Sequence, residues 1–245
     1  MTTSLLARAR AAATPARTAV TAAVAVALAS IVAVASLLDG IGENGDVAAL
    51  DRPTMAWIVT HRDPILTTVA DAASAVGSEV AIVVIGALAV AALAWRRRFD
   101  EALLLGFAFG AAESIALVLK HLVGRARPPA VDVVGPVETT LSFPSGHTIG
   151  TAALSLALAY LFWRRSPSLR RALAGLGAAA LVTAVMAASR IYLGDHWLTD
   201  VLGSVVLAVG VMGLVVLGDL VLRRWAPAWL RARSRALPPG AATLP

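Results

Sequence analysis

Six long stretches of this chain are almost free of charge, and charged residues collect in short clusters between them. The stretches are Thr18 to Leu38, Val80 to Trp95 (extendable back through Gly77), Ala102 to Leu119, Thr148 to Trp163, Ala172 to Ser189 and Val201 to Gly218. Within the unextended stretches only Glu113 intervenes, in the third. A bilayer-crossing helix needs about 20 mostly apolar residues, because every backbone polar group must be satisfied within the span. The stretches are built from Ala, Val and Leu without strict alternation, which favours helices over barrel strands. The expected fold is therefore an all-α integral membrane protein with six transmembrane helices in one bundle. Composition agrees: 15% of the 245 residues are charged, where a soluble domain carries about 25%.

The arginines assign sides. With the N-terminus inside, the inner segments hold Arg8, Arg10 and Arg17, then Arg96 to Arg98, then Arg164, Arg165, Arg170 and Arg171, then Arg223, Arg224, Arg231, Arg233 and Arg235. The outer segments keep Arg52, Arg62, Lys120, Arg125, Arg127 and Arg190. Excess Lys and Arg on cytoplasmic loops is the usual determinant of orientation. Trp95, Trp163, Trp225 and Trp229 adjoin the inner arginines as an interfacial belt would. The expected layout is a basic cytoplasmic N-terminus over 1–17, a membrane domain over 18–225, and a disordered cytoplasmic tail over 226–245. The protein would sit in the cell (inner or plasma) membrane with both termini cytoplasmic. The first span also admits a signal-peptide reading, although its uncharged length exceeds the roughly 7–15 residues of a signal h-region.

The sequence pI of about 11.1 raises nucleic-acid binding, but the basic residues flank hydrophobic spans, so lipid topology accounts for them and no nucleic-acid partner is expected. No cysteine is present, which excludes disulfides and a thiolate nucleophile. The long outer connection, 39–78, reads as a cap. Leu50, Met55, Trp57, Ile58, Ile65, Leu66 and Val69 would form the apolar face of short interfacial helices.

Three polar clusters fall on the expected outer side: Lys120 to Pro128, Phe143 to His147, and Ser189 to Asp200. They hold most of the outer basic charge, against the topological trend, and an anionic ligand is the evident reason. In the second cluster, Pro144 and Gly146 permit a tight turn at a helix start, where unpaired backbone N–H groups and the macrodipole favour an anion. Ser145 adds a hydroxyl and His147 an imidazole; a plain helix cap fits the same residues. In the third cluster, His196 and Asp200 lie four apart and share one helical face. An Asp accepting from one imidazole nitrogen leaves the other as an aimed lone pair, while a pair that only pins two helices together fits equally. Arg127 and Arg190 offer planar forks for phosphate oxygens and Lys120 a point charge. Arg125 reads as snorkelling or contacting headgroups, Asp195 as solvated or structural, and His61 and His121 as structural.

The three clusters together resemble the type 2 phosphatidic acid phosphatase superfamily. Its pattern is Lys-x6-Arg-Pro, Pro-Ser-Gly-His and Ser-Arg-x5-His-x3-Asp, and the chain matches every fixed position from Lys120 to Asp200. Leu198 stands where a proline is often found. The resemblance implies a catalytic site at the extracytoplasmic ends of the third to sixth spans. There Lys120, Arg127 and Arg190, with Ser145 and the Gly146 N–H, would bind phosphate. His196 would attack phosphorus, Asp200 would orient it, and His147 would act as general acid and then help activate water. The implied activity is metal-independent hydrolysis of a lipid phosphate monoester or diphosphate, of phosphatidic acid, phosphatidylglycerol phosphate or isoprenoid type, with no cofactor or metal. A lipid transporter or binding protein using the same anion site is the alternative, and haloperoxidase chemistry a third. The substrate, a homo-oligomeric state and the role of Glu113 stay open at this level.

Overall fold

Each uncharged run becomes a helix, and its flanking residues show why it begins where it does. Asp63 caps one helix by accepting from the N–H groups of Ile65 and Leu66, with Pro64 in the first turn. Ser78, Ser145 and Ser168 cap three others by accepting from Ala81, Thr148 and Arg171. Gly124 ends a fifth in the left-handed conformation, at φ 62°. The computed structural model describes residues 2–43 and 45–225. Its helices are α1 (Thr2–Glu43), α2 (Asp51–Thr60), α3 (Pro64–Val76), α4 (Glu79–Trp95), α5 (Phe99–Val123), α6 (Gly146–Arg165), α7 (Leu169–Tyr192) and α8 (Leu198–Trp225). Two 3-10 turns complete the set, and no strand occurs among the described residues. The expected disordered tail, 226–245, lies outside the described residues.

Helix α6 is the centre of the bundle. It packs against α4, α5, α7 and α8, and eleven of its 20 residues are buried. Small residues permit the close approach: Ala108, Ala112 and Ala116 of α5 pack in one cluster with Ile149, Ala152, Ala153 and Ala157 of α6. With no hydrophobic driving force between helices in lipid, such interdigitation is a main source of association. Helix α1 lies along α8 by the same device. A Cβ added to Gly213 would stand 3.1 Å from the carbonyl oxygen of Ala23.

Four helical segments are long and apolar enough to cross a membrane: Arg17–Glu43, Phe99–Val123, Leu169–Tyr192 and Leu198–Arg224. Helices α3 and α4 make a fifth if counted as one span, bent by 47° between Val76 and Glu79. Helix α6, on the expected fourth span, falls outside this set for a physical reason. Its first turns carry His147, Thr148 and Thr151, and it ends in Arg164 and Arg165.

The connection after α1 differs from the expectation in two ways. Helix α1 runs on through Glu43, and α3 belongs by composition to the bent pair with α4. Of the expected apolar face, Met55 is buried, whereas Leu50, Trp57, Ile65, Leu66 and Val69 are exposed. The connection is tied to the bundle at Arg62, which donates to the carbonyls of Tyr192 (3.2 Å) and Asp132 (2.5 Å).

Candidate active site

The turn between α7 and α8, the start of α6 and the 124–145 connection meet at one end of the bundle. His196 sits in that turn with 1% of its surface exposed. Its Nδ1 lies 3.4 Å from Oδ2 of Asp200, one turn into α8. Its Nε2 lies 3.2 Å from Nη1 of Arg127. A guanidinium only donates, so Nε2 accepts, and the ring proton belongs on Nδ1, facing Asp200. Both geometry and chemistry thus direct the Nε2 lone pair towards Arg127. The Nδ1–Asp200 approach is long, and Nδ1 makes no hydrogen bond. Complete burial lowers the His196 pKa from its ordinary value, outweighing the opposing pull of Asp200, so the ring is neutral at physiological pH.

Asp200 is fully buried and saturated with donors. Oδ1 accepts from Arg125 at 2.5 Å, and Oδ2 accepts from Ser142 and from the Trp197 N–H at 2.9 Å. Arg125 therefore does not snorkel or reach headgroups, as its sequence neighbourhood suggested. Its guanidinium bridges Asp200 and Asp51, with the second contact also at 2.5 Å. Asp51 in turn accepts from the N–H and the hydroxyl of Thr199. A carboxylate, a guanidinium and a second carboxylate thus stand in line behind His196, anchored on α2 and α8.

Arg127 makes four hydrogen bonds and an ion pair. Nε donates to the Thr140 carbonyl (2.6 Å), Nη1 to the Asp195 carbonyl (2.8 Å) and His196, and Nη2 to the Thr140 hydroxyl (2.8 Å), while Nη2 also lies 2.5 Å from Oε2 of Glu138. Arg190 is buried; it donates to Ser74 and to Glu138 at 2.5 Å, forms an ion pair with Asp195 at 3.0 Å, and its Nε is unpartnered. Asp195 is therefore not solvated. Burial raises its pKa, against Arg190. Burial alone would also raise Glu138, but Arg127 and Arg190 hold its carboxyl below the usual range.

The remaining sequence candidates gather at the start of α6. Ser145 is buried, and its hydroxyl oxygen accepts from the Thr148 hydroxyl at 3.1 Å while its N–H donates to Ser204 at 2.9 Å. Gly146 begins the helix, and a Cβ there would overlap the Glu79 carboxylate. That carboxylate also lies 3.6 Å from Nζ of Lys120, which places Lys120 beside the helix start. His147 is buried, with Nδ1 unpartnered. It lines a cavity of about 260 Å³ together with Ser74, Glu138, Arg190 and Asp195. Glu113 lies one turn deeper, against Gly150, with Oε1 buried and unpartnered. His61 is structural: its Nδ1 lies 2.7 Å from the Trp57 carbonyl oxygen and its ring stacks on Trp57.

Sequence reasoning missed Asp51, Ser74, Glu79, Glu138 and Ser142. The only signal available was a charge balance: an outer side with this many cations near lipid calls for buried acidic partners.

A helical bundle with several membrane-crossing helices thus carries a histidine–arginine site at one end. A model of the PAP2 superfamily matches residues 101–222. Phosphatidylglycerophosphatase B of Bacillus subtilis (strain 168) is 34% identical over 145 residues, covering 59% of this chain and 68% of that protein. Decaprenylphosphoryl-5-phosphoribose phosphatase of Mycobacterium tuberculosis is 36% identical over 126 residues, covering 51% and 64%. Among solved structures, a transmembrane PAP2 type phosphatidylglycerolphosphate phosphatase from Bacillus subtilis superposes with a TM-score of 0.72 at 25% identity, covering 81% of this chain and 98% of that one. The chain belongs to the PAP2 superfamily and is a multi-pass membrane protein.

Proposed function

We propose that this chain, a lipid phosphatase by its family and relatives, hydrolyses a phosphate monoester or diphosphate of a membrane lipid through a covalent phospho-histidine. The observation that carries the reading is the orientation of His196. Its Nε2 is directed at Arg127 (3.2 Å) while Asp200 stands behind Nδ1 (3.4 Å), and the same Arg127 shares an anion, Glu138, with Arg190.

The steps are those the family resemblance implies, laid onto these positions. A phosphoryl group takes the place between Arg127 and Arg190, with Lys120, Ser145 and the Gly146 N–H completing its cradle. Nε2 of His196 forms a bond to phosphorus as the bond from phosphorus to the leaving oxygen breaks. Asp200 stabilises the Nδ1–H as the ring gains positive charge. His147, at the cavity wall, protonates the leaving oxygen. Water then attacks phosphorus, losing its proton to His147, and the nitrogen–phosphorus bond breaks. Fixed cations around the phosphoryl oxygens supply the electrostatic stabilisation such a transfer requires.

In this reading six helices span the bilayer, with α6 enclosed by its neighbours and α1 part of the bundle along α8. The domain runs over 18–225, with 39–78 as its cap. The site faces the extracytoplasmic side and both termini the cytoplasm. The gathering of Arg98, Arg164, Arg165 and Arg223 at the end opposite His196 supports that orientation.

The test is phosphate release by detergent-purified protein from phosphatidic acid, phosphatidylglycerol phosphate and isoprenoid diphosphate in mixed micelles containing EDTA. Turnover with vanadate inhibition, and an acid-labile phosphoprotein absent from His196→Ala, is the expected result. An absolute need for added Mg²⁺, or lipid movement without phosphate release, would overturn it.

A further inference from the structure

Glu138 occupies the position this reading gives to the substrate. Its two carboxylate oxygens each meet one guanidinium: Oε2 is 2.5 Å from Nη2 of Arg127 and Oε1 is 2.5 Å from Nη2 of Arg190. It lines the same cavity as His147. A phosphoryl group bound by these arginines for attack by His196 must take those contacts over. The side chain can yield them. It belongs to the non-helical connection between the 3-10 turn Ala130–Asp132 and α6, and 30% of it is exposed, so the carboxylate can leave into water rather than through the core.

We propose that Glu138 is a specificity-determining residue: a resident carboxylate that excludes the monoanionic phosphodiester headgroups of bulk lipid and yields only to a terminal phosphoryl group, that of a monoester or a diphosphate. The proposal rests on the assignment of Arg127 and Arg190 to the phosphate site. A carboxylate presents one negative charge and two oxygens. A phosphodiester presents the same charge and two free oxygens, so replacing Glu138 by it gains no Coulomb attraction and still costs the loop its ties. A phosphate monoester near neutral pH carries about −1.5 to −2 charges and three free oxygens. It gains up to a full charge against two guanidinium groups and offers a third oxygen to donors such as the unpartnered Nε of Arg190. The bilayer holds diester lipids in vast excess over any one monoester, so an open arginine pair would be occupied by the wrong headgroup.

The experiment uses the detergent-purified full chain, with phosphatidic acid as substrate, phosphatidylglycerol as diester competitor and orthophosphate as the bare ligand. In wild type, excess phosphatidylglycerol should leave KM unchanged. In Glu138→Gln, orthophosphate should bind about tenfold more tightly, KM without competitor should fall, and phosphatidylglycerol should become a competitive inhibitor. Glu138→Asp, which restores the charge, should restore wild-type insensitivity, a rescue that a packing defect would not produce. Orthophosphate binding that is no tighter in Glu138→Gln, or continued indifference of that variant to phosphatidylglycerol, would overturn the proposal. A wild-type protein that releases phosphate from no lipid would instead overturn the phosphatase reading. Calorimetric orthophosphate binding by the two proteins then decides the role of Glu138 alone: tighter in Glu138→Gln upholds it, equal or weaker overturns it.

Discussion

The two ends of the bundle both gather arginines and carboxylates around α5, α6 and α8, yet they are built differently. At the end opposite His196, Glu101 is shared by Arg98 and Arg165, and Asp219 by Arg164, Arg223 and the Tyr160 hydroxyl. Apart from Arg98 at the start of α5, these partners all sit on helices, and no histidine takes part. At the His196 end, Asp200 and Asp51 are likewise on helices, but the anion shared by Arg127 and Arg190 sits on a connection. Unpartnered buried nitrogens occur at both ends, on Arg164 at one and on His147, Arg190 and His196 at the other. Orphaned atoms therefore do not by themselves mark a site. What distinguishes the ends is a histidine nitrogen aimed among cations, and a cation pair whose partner is replaceable without unpacking a helix. A helix-borne network fixes the bundle; a network with one loop-borne member can trade that member for a ligand.

This contrast can be broken by substitution. The largest effect is expected at His196. His196→Asn should lower kcat for lipid phosphate by at least about 10³-fold with an unchanged melting profile in detergent; a rate within tenfold of wild type would remove the histidine from the nucleophile's role. Arg125→Met should act on stability instead, leaving Asp51 and Asp200 buried without their shared cation at a cost of about 3–5 kcal/mol, measured by thermal or denaturant unfolding. Arg190→Lys keeps the charge and loses the fork, and phosphate release should fall by about 10²-fold. At the opposite end, Asp219→Asn should cost about 1–2 kcal/mol of stability and leave kcat/KM within about twofold; a larger kinetic loss would show that the two ends are not separable.

The smallest effect is a pH dependence. The pKa of folded His196 lies below its ordinary 6.5, because burial disfavours the imidazolium. Between the two values the unfolded chain binds a proton that the native one does not. The contribution is therefore fully present above pH 6.5 and is lost as pH falls below it, at no more than about 1.4 kcal/mol per pH unit. Comparing unfolding of wild type and His196→Asn between pH 7 and 5 isolates it; equal slopes would contradict the burial argument.

The sequence shows the helices and the cluster members plainly, because both depend on local pattern. Uncharged runs mark α1, α4, α5, α6, α7 and α8, and the spacing of His196 and Asp200 survives as a contact, although His196 lies in the turn before α8 and not on its face. What it hides is partnership across distance. Arg125 lies 74 residues from Asp51 and 75 from Asp200, and Arg190 lies 52 from Glu138. No periodicity encodes such pairs, so Arg125 read as a surface charge and Glu138 did not register. The composition of α6 hid something else. A helix packed against four neighbours carries small and polar residues where an outer helix needs apolar ones, so the most central helix falls outside the set apolar enough to cross a membrane.

Asp51 has a mechanical consequence. By holding both Arg125 and the start of α8, it rivets α2 to the floor beneath His196, so that wall can shift only as one body with the nucleophile. The opposite wall, between Val134 and Thr140, is fastened to the floor largely by contacts of Arg127 and Arg190, among them those of Glu138. The pocket thus has one wall riveted through helices and another held by the same arginines that would grip the load.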